Sequence, residues 1–177
     1  MATEKIILLV INVLGGAAVI LSYIFGLKAQ PGGADALWGG VPVGIRPAYT
    51  VSMLLSALGY FLFSYFIFFR LEPGSTLIGG RYGFSLFYAI FLLILVSSVF
   101  WMPLTNVYIA HPSSGMWFLI RLILVLVGIG SIALVWALLS LKDASQGIAY
   151  WLAIAGSVYF AFHTAILDAV VWAALFK

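Results

Sequence analysis

The chain contains five long runs of predominantly apolar residues, and these runs constrain its fold more than any other feature. They cover residues 6–27, 48–69, 82–104, 114–141 and 147–176. Each is long enough to cross a hydrocarbon core of about 30 Å as a helix, which takes about 20 residues. Since none alternates apolar and polar residues with a period of two, the runs are not strands of a barrel. The sequence therefore predicts an all-α integral membrane protein built as a five-transmembrane-helix bundle.

The composition indicates that lipid is the solvent of this chain. Hydrophobic residues make up 65% of its 177 residues and charged residues only 7%, whereas a soluble domain carries about 25% charged residues. The net charge of +3 is scattered without a basic run, which argues against nucleic acid as a partner. The first run has no convincing signal-peptide cleavage site, so we interpret it as the first span of a multi-pass protein.

The segments between the runs predict how the spans are connected. Residues 28–47 form a long loop rich in Gly and Pro, whereas the last connection, at residues 141–146, is a tight turn. The sequence has neither an internal repeat nor a domain boundary, so residues 1–177 are expected to form a single membrane domain. An odd number of spans predicts that the two termini lie on opposite sides of the membrane.

Two charged residues lie inside the runs at matching depth. Arg121 lies about eight residues into the fourth run and Asp168 about eight residues from the end of the fifth, so both are about 12 Å below the same surface. Because an unpaired central charge costs about 2.5–3.5 kcal/mol, one interpretation is a buried ion pair between Arg121 and Asp168. In the alternative, Arg121 extends to the lipid headgroups while Asp168 stays protonated or caps a neighbouring backbone.

Further polar and aromatic residues gather in the same half of the membrane. Thr164, Asp168 and Trp172 are spaced by four and share one face of the fifth helix. The others are Trp38 in the first loop, Tyr49 and Ser52 at the start of the second run, Trp101, Asn106 and Trp117. Any single Trp among them is typical of the aromatic belt at a membrane interface. Together, beneath a loop long enough to act as a lid, they predict a ligand pocket.

The two histidines limit the metal chemistry of the chain. His163 lies five residues before Asp168, which turns the two side chains about 140° apart on an α-helix, so a His–Asp dyad is not expected. His163 is a candidate axial haem ligand, although a lone helical His is more commonly packed or hydrogen-bonded. With His111 as the only other histidine and no Cys, a multi-histidine metal centre is excluded.

Small residues on the remaining faces indicate helix packing. On the second helix, a stripe with a spacing of four consists of Ser52, Ser56 and Tyr60. The small residues elsewhere are Gly15, Gly16, Gly128, Gly130, Ala149, Ala153 and Gly156. Small residues let helices approach closely in lipid, which supplies no hydrophobic drive between helices. We therefore interpret these residues as scaffold.

Two segments resemble the translocator protein / tryptophan-rich sensory protein family, whose members are five-helix membrane proteins that bind tetrapyrroles, sterols and related apolar ligands. The residues similar to the family's third-helix ending and fifth-helix signature are Trp101, Pro103, Leu104 and Pro112 in "FWMPLTNVYIAHP", and Ala161, Thr164, Leu167 and Trp172 in "YFAFHTAILDAVVW". Asp168 stands where the family usually has Asn, and the doubled proline of the family's first loop is missing. The resemblance implies a distant member with a pocket beneath the first loop and a tetrapyrrole as a candidate ligand.

Two functions without catalysis are compatible with these patterns. The first is a membrane receptor or carrier for an apolar, partly anionic ligand, such as a tetrapyrrole, a sterol or another lipid. In it, Trp38, Trp101 and Trp172 supply stacking surface, and Arg121 orients a carboxylate. Such a receptor requires no cofactor and works as a monomer or a homodimer. The second function is a non-catalytic structural subunit of a larger membrane complex.

A third function, that of an intramembrane enzyme, has less support in the sequence. Asp168 or His163 would act as its acid–base group. The chain carries no nucleotide-binding loop, no H-E-x-x-H and no G-x-S-x-G motif. Neither a nucleophile nor a second acid is present at a workable spacing, so no enzyme activity is predicted.

Overall fold

The computed structural model of the chain describes residues 3–142 and 147–176. It is 82% helical, and the described residues contain no strand. Five helices are long and apolar enough to cross a membrane, which confirms the predicted five-helix bundle of a multi-pass membrane protein. Residues 143–146, the greater part of the predicted tight turn at 141–146, lie outside the described residues.

Four of the five spans are continuous α-helices, and the fifth changes its helix type. The continuous helices are α1 (Thr3–Ala29), α2 (Arg46–Phe69), α3 (Leu86–Ala110) and α4 (Ser114–Leu139). The fifth span consists of α5 (Ile148–Ala161), a π-helix (Phe162–Trp172) and the short turn α6 (Ala173–Leu175). The first loop, between α1 and α2, is ordered by two 3-10 turns, at Gly33–Trp38 and Val43–Ile45.

The third span begins and ends later than the apolar run predicts. Ile78 and Tyr82 exchange backbone hydrogen bonds of 2.7 and 3.0 Å, so the residues before Leu86 belong to the second loop. At the other end, α3 continues past the predicted boundary at residue 104 to Ala110. The prediction was wrong there because it treated the polar residues after Pro103 as a loop.

Pro103 is tolerated inside α3 because α1 supplies the hydrogen bond that the proline removes. The nitrogen of Pro103 carries no hydrogen, so the carbonyl of Val99, four residues earlier, loses its usual donor. The hydroxyl of Ser22 on α1 donates to this carbonyl at 2.8 Å. In lipid, where water does not reach the backbone, side-chain donors of this kind are what re-satisfies the freed group.

The helices pack in a fixed order. α3 lies between α1 and α4, α4 packs against both halves of the fifth span, and α2 packs mainly on α5. Two apolar cores result. The core next to the second loop is centred on the fully buried rings of Phe63, Phe87 and Phe91. The core beneath the first loop, called here the first-loop core, contains Val41, Tyr49, Ile120, Leu124, Trp172, Ala173 and Phe176.

Glycines set the closest helix contacts, as the sequence predicts for most of them. A Cβ added to Gly59 of α2 would lie 2.5 Å from the carbonyl oxygen of Gly156 on α5, so the two backbones touch at this point. Gly128 meets Ala165 of the π-helix at 3.1 Å, and Gly130 and Gly15 meet side chains of α3 at 2.7 and 2.8 Å. Gly16, by contrast, has nothing within 4 Å of such a Cβ and makes no close contact.

Replacing Ser22 by Ala is expected to lower the free energy of unfolding by about 1–3 kcal/mol, because the Val99 carbonyl is left unpaired. Denaturation in mixed detergent micelles, followed by circular dichroism, measures the loss. Ser98→Ala is the matched control, since Ser98 donates at 2.8 Å to the Ile94 carbonyl, which keeps its helical N–H donor. In a Pro103→Ala background the new backbone N–H satisfies Val99, and a Ser22→Ala cost that persisted there would contradict the assignment.

Gly59→Ala is expected to cost about 1–3 kcal/mol, because its new methyl group collides with the backbone of α5 and forces the helices apart. The control is Gly16→Ala, which adds the same methyl group to a helix with open space around it. That change should be neutral or slightly stabilising, since Ala is the better helix former. Thermal melts of both variants in the same detergent provide the comparison, and equal melting temperatures would refute the contact.

Candidate functional site beneath the first loop

The predicted tryptophans meet beneath the first loop, but they fill one another's space. The Trp172 ring lies 4.4 Å from that of Phe176, 5.6 Å from that of Trp101 and 6.1 Å from that of Trp117, measured between centroids. Trp117 stacks on Phe176 at 5.8 Å. The structure thus brings two of the predicted stacking residues, Trp101 and Trp172, together with Trp117 as a packed aromatic core.

The first loop is fastened onto this core by polar contacts. The indole N–H of Trp172 donates to the Leu37 carbonyl at 3.0 Å. The Trp38 ring meets Tyr49 edge-on at 5.9 Å, and the Arg46 guanidinium lies 5.8 Å from the Trp38 ring centroid. Trp38 and Tyr49, both predicted site residues, therefore hold the loop against the end of the bundle.

Arg121 and Asp168 do not form the ion pair that their depth allowed. Arg121 is exposed and lies in an open groove of about 480 Å³ on the outer face of α4, lined by Ser114, Trp117, Phe118, Leu122 and Val125. Asp168 instead contacts His163, with Oδ2 of the carboxylate 3.6 Å from Nε2 of the imidazole. The matching depth gives only the position of each residue along its helix axis. It does not give the direction in which each side chain points from that axis. Because the Arg121 guanidinium is exposed, it can extend toward the lipid headgroups, as in the alternative interpretation.

The His163–Asp168 contact corrects the expectation that no dyad forms. The 140° separation assumed α-helical geometry, whereas residues 162–172 form a π-helix. In a π-helix the hydrogen bonds run from residue i to residue i+5, so residues five apart follow one another along one face. His163 and Asp168 have this spacing. The helix type alone therefore converts two divergent side chains into neighbours.

Beyond His163 the dyad continues through two hydrogen bonds, so that four polar side chains lie in a row. Nδ1 of His163 lies 2.9 Å from Oγ of Ser52 on α2, and the Tyr159 hydroxyl donates to the same Oγ at 3.1 Å. Ser52 and His163 are buried, whereas the Asp168 side chain is 32% exposed. We refer to Tyr159, Ser52, His163 and Asp168 as the polar chain. It runs from the α2–α5 interface to the partly exposed carboxylate.

Two members of the polar chain were not predicted as site residues. Ser52 was noted in the polar cluster but interpreted as scaffold, and its hydroxyl bonds His163. Tyr159 was not singled out at all. The regular stripe that includes Ser52 was the available signal for α2, since a buried hydroxyl needs a partner. Nothing in the sequence pattern identifies the partner as His163 or places Tyr159 beside it.

Tyr49 also bonds to the backbone of the π-helix. Its hydroxyl donates to the carbonyl of Leu167, one residue before Asp168. The side chain thus ties α2 to the middle of the π-helix, next to the carboxylate. Tyr49 positions the site in addition to packing against Trp38.

Two other predicted site residues form hydrogen bonds that join helices. The Asn106 amide donates to the Gly26 carbonyl at 2.9 Å and accepts from Gln30 at 2.7 Å, which joins α3 to the end of α1. The Thr164 hydroxyl lies 2.6 Å from that of Ser131 on α4. Both side chains are interhelical ties of the kind that polar residues make in membranes.

The residues around His163 do not fit a haem ligand. Both ring nitrogens face protein partners, Nδ1 toward Ser52 and Nε2 toward Asp168, and the side chain is buried. An iron would need one of these nitrogens. Among the described residues, no group of three or more His, Asp or Glu side chains is placed to hold a metal ion. The suggestion of haem ligation is therefore not supported by the geometry.

No protein-family model matches this chain, and no curated protein and no solved structure matches it. The resemblance to translocator-protein motifs remains a prediction from the sequence. The site is therefore interpreted from its own geometry.

Trp172→Phe is expected to loosen the first loop, because it keeps the ring in the core but removes the hydrogen bond to the Leu37 carbonyl. Amide hydrogen exchange over residues 33–45 should become several-fold faster, as expected when one bond of about 1 kcal/mol is lost. Trp151→Phe is the control, since Trp151 is 56% exposed on the outside of α5. Unchanged exchange in Trp172→Phe would show that this bond does not fasten the loop.

Proposed function

We propose that the chain is a membrane receptor or carrier for a small apolar ligand, which binds beneath the first loop with Asp168 as its polar anchor. One observation carries the proposal. The Asp168 carboxylate lies inside a membrane span with its side chain 32% exposed, and its contact with His163, at 3.6 Å, is longer than a hydrogen bond. Ionisable groups within spans normally pair, or face a water-filled or substrate-bearing cavity.

A second polar group near this end of the bundle supports a ligand. The indole nitrogen of Trp101 is buried and makes no hydrogen bond with the described residues. Buried donors in native proteins nearly always have a partner. Trp101 packs on Tyr23 and Trp172, at 5.5 and 5.6 Å. A ligand that accepts a hydrogen bond from Trp101 and donates one to Asp168 would satisfy both groups.

The placement of Arg121 changes the ligand chemistry that this proposal favours. The prediction that the ligand is partly anionic depended on Arg121 lying beside Asp168. The two residues form no ion pair. A tetrapyrrole carboxylate would meet a carboxylate without the guanidinium that was to orient it. A sterol, whose hydroxyl donates to an acceptor, suits Asp168 better, and tetrapyrroles are the comparison ligands.

A second candidate function, that of a non-catalytic subunit of a larger membrane complex, is favoured by the exposure of α1. The most apolar window of α1 is only 6% buried within the chain, against 39% for the corresponding windows of the second and third spans. A wide apolar face is thus open to lipid or to a partner helix. Purification in mild detergent separates the functions: a subunit co-migrates with other proteins, whereas a receptor runs as a monomer or homodimer.

In phosphatidylcholine nanodiscs, cholesterol or protoporphyrin IX is expected to change tryptophan fluorescence saturably. Asp168→Ala should weaken the binding by about tenfold, or about 1.4 kcal/mol, because the polar anchor is lost. Arg121→Gln is the matched control: it removes a charge at similar depth on the outer face of α4 and should leave the affinity unchanged. Absence of saturable binding by every sterol and tetrapyrrole tested would overturn the proposal, and an effect confined to Arg121→Gln would move the site to α4.

A further inference from the structure

We propose that the groove on the outer face of α4 binds an anionic phospholipid, whose phosphate pairs with Arg121. The groove is separate from the site beneath the first loop, so the inference goes beyond the proposed function and does not depend on it. Two observations carry it: a cation without an anionic partner inside a membrane span, and the arrangement of the residues that line the groove.

Arg121 has no anionic partner within the described residues. Three of the four described carboxylates contact other side chains: Glu72 contacts Lys5, Asp35 contacts Arg46, and Asp168 contacts His163. The fourth, Glu4, lies in the first turn of α1, at the opposite end of the bundle from the start of α4. A guanidinium inside a span is costly unless it is paired or reaches the interface. The lipid head groups around α4 are therefore the remaining source of an anion.

The residues of the groove form one stripe along α4. They follow one another at spacings of three and four: Ser114, Trp117, Phe118, Arg121, Leu122 and Val125. Residues with these spacings share a helix face. Long side chains on a helix lean toward its N-terminus, and this direction takes the guanidinium toward Ser114 and the nearer membrane surface. Leu122 and Val125 line the deeper end. The groove thus has a charged end near the surface and an apolar end below it, as a phospholipid does.

The depth of Arg121 suits a phosphate rather than the centre of the bilayer. Arg121 lies seven residues after Ser114, the first residue of α4, which is about 10 Å along the helix axis. The apolar stem of an arginine packs along such a surface and carries the charged group several ångström toward the head groups. A guanidinium binds two phosphate oxygens through parallel hydrogen bonds. Phosphatidylglycerol offers such a phosphate without the quaternary ammonium that accompanies it in phosphatidylcholine.

One wall of the groove is held in place by the first-loop core. The Trp117 ring stacks on that of Phe176 at 5.8 Å and lies 5.3 Å from that of Tyr108. The other aromatic and apolar lining side chains, Phe118, Leu122 and Val125, are 65%, 40% and 45% exposed, so they are open to an acyl chain. The volume of about 480 Å³ is within the range of ligand pockets, about 300–1,000 Å³.

Dioleoylphosphatidylglycerol and dioleoylphosphatidylcholine, which differ only in their head groups, test the proposal. The full chain is titrated with each lipid in detergent micelles, and native mass spectrometry measures the fraction that keeps one bound lipid. Phosphatidylglycerol should bind about tenfold more tightly, as expected for hydrogen bonds to a charged group. Glycerol 3-phosphate, which has the phosphate but no acyl chain, should not displace it even in large excess. Equal affinities for the two lipids would overturn the proposal, and displacement by glycerol 3-phosphate would overturn the assignment to a lipid.

Arg121→Gln should remove the preference for phosphatidylglycerol, because the amide carries no charge. Lys28→Gln is the matched control, since Lys28 is an exposed cation in the last turn of α1, at the same end of the bundle. It should leave the preference within about twofold, because the attraction of a solvated charge is screened over about 10 Å. Equal losses in the two variants would show a general surface attraction and would overturn the site.

A second pair of variants tests whether the acyl chain lies in the groove. Val125→Trp fills the deeper end and should weaken the binding of phosphatidylglycerol several-fold while leaving Arg121 in place. Leu119→Trp is the control, because Leu119 is similarly exposed, at 42%, on α4 but does not line the groove. Circular dichroism of both variants verifies the fold. Unchanged affinity in Val125→Trp, or an equal loss in both variants, would contradict the assignment of the chain to this groove.

Discussion

The absence of water around a membrane-spanning backbone is the constraint on which this structure depends. Where a proline interrupts a span, a neighbouring side chain has to satisfy the backbone carbonyl that is set free. Ser22 does so for the Val99 carbonyl above Pro103, and Tyr49 gives the Leu167 carbonyl of the π-helix a further donor. These two hydrogen bonds also fix how the helices sit against one another, because each one joins two spans.

The π-helix is the departure that creates the candidate site. A regular α-helix over residues 162–172 would turn His163 away from Asp168, and the polar chain would end at His163. The segment runs through eleven residues, whereas π-geometry usually occupies a single turn and is frequent at functional sites. The first-loop core beside it is a packed aromatic support. The chemistry of this end of the bundle therefore rests on a few polar atoms rather than on a large recess.

Hydrophobicity and length were enough to predict the five spans, since lipid accepts few other arrangements for such runs. They did not predict the end of α3, because the donor that makes Pro103 tolerable lies far away in the sequence, on α1. For the site, the depth of Arg121 and Asp168 follows from the rise per residue, but the facing of each helix is decided by its neighbours. The contact between His163 and Asp168 depends on a π-helix. No pattern in the sequence predicts a π-helix at this position.

The backbone contact between Gly59 and Gly156 has a mechanical consequence for this site. Ser52 and His163 each lie two helical turns from that contact, about 10 Å along their own helices, on the side toward the first loop. Since the two backbones cannot approach further, this contact is a fulcrum between α2 and the fifth span. Any widening at the first-loop end that stretches the Ser52–His163 bond must be matched by a compression at the opposite membrane face.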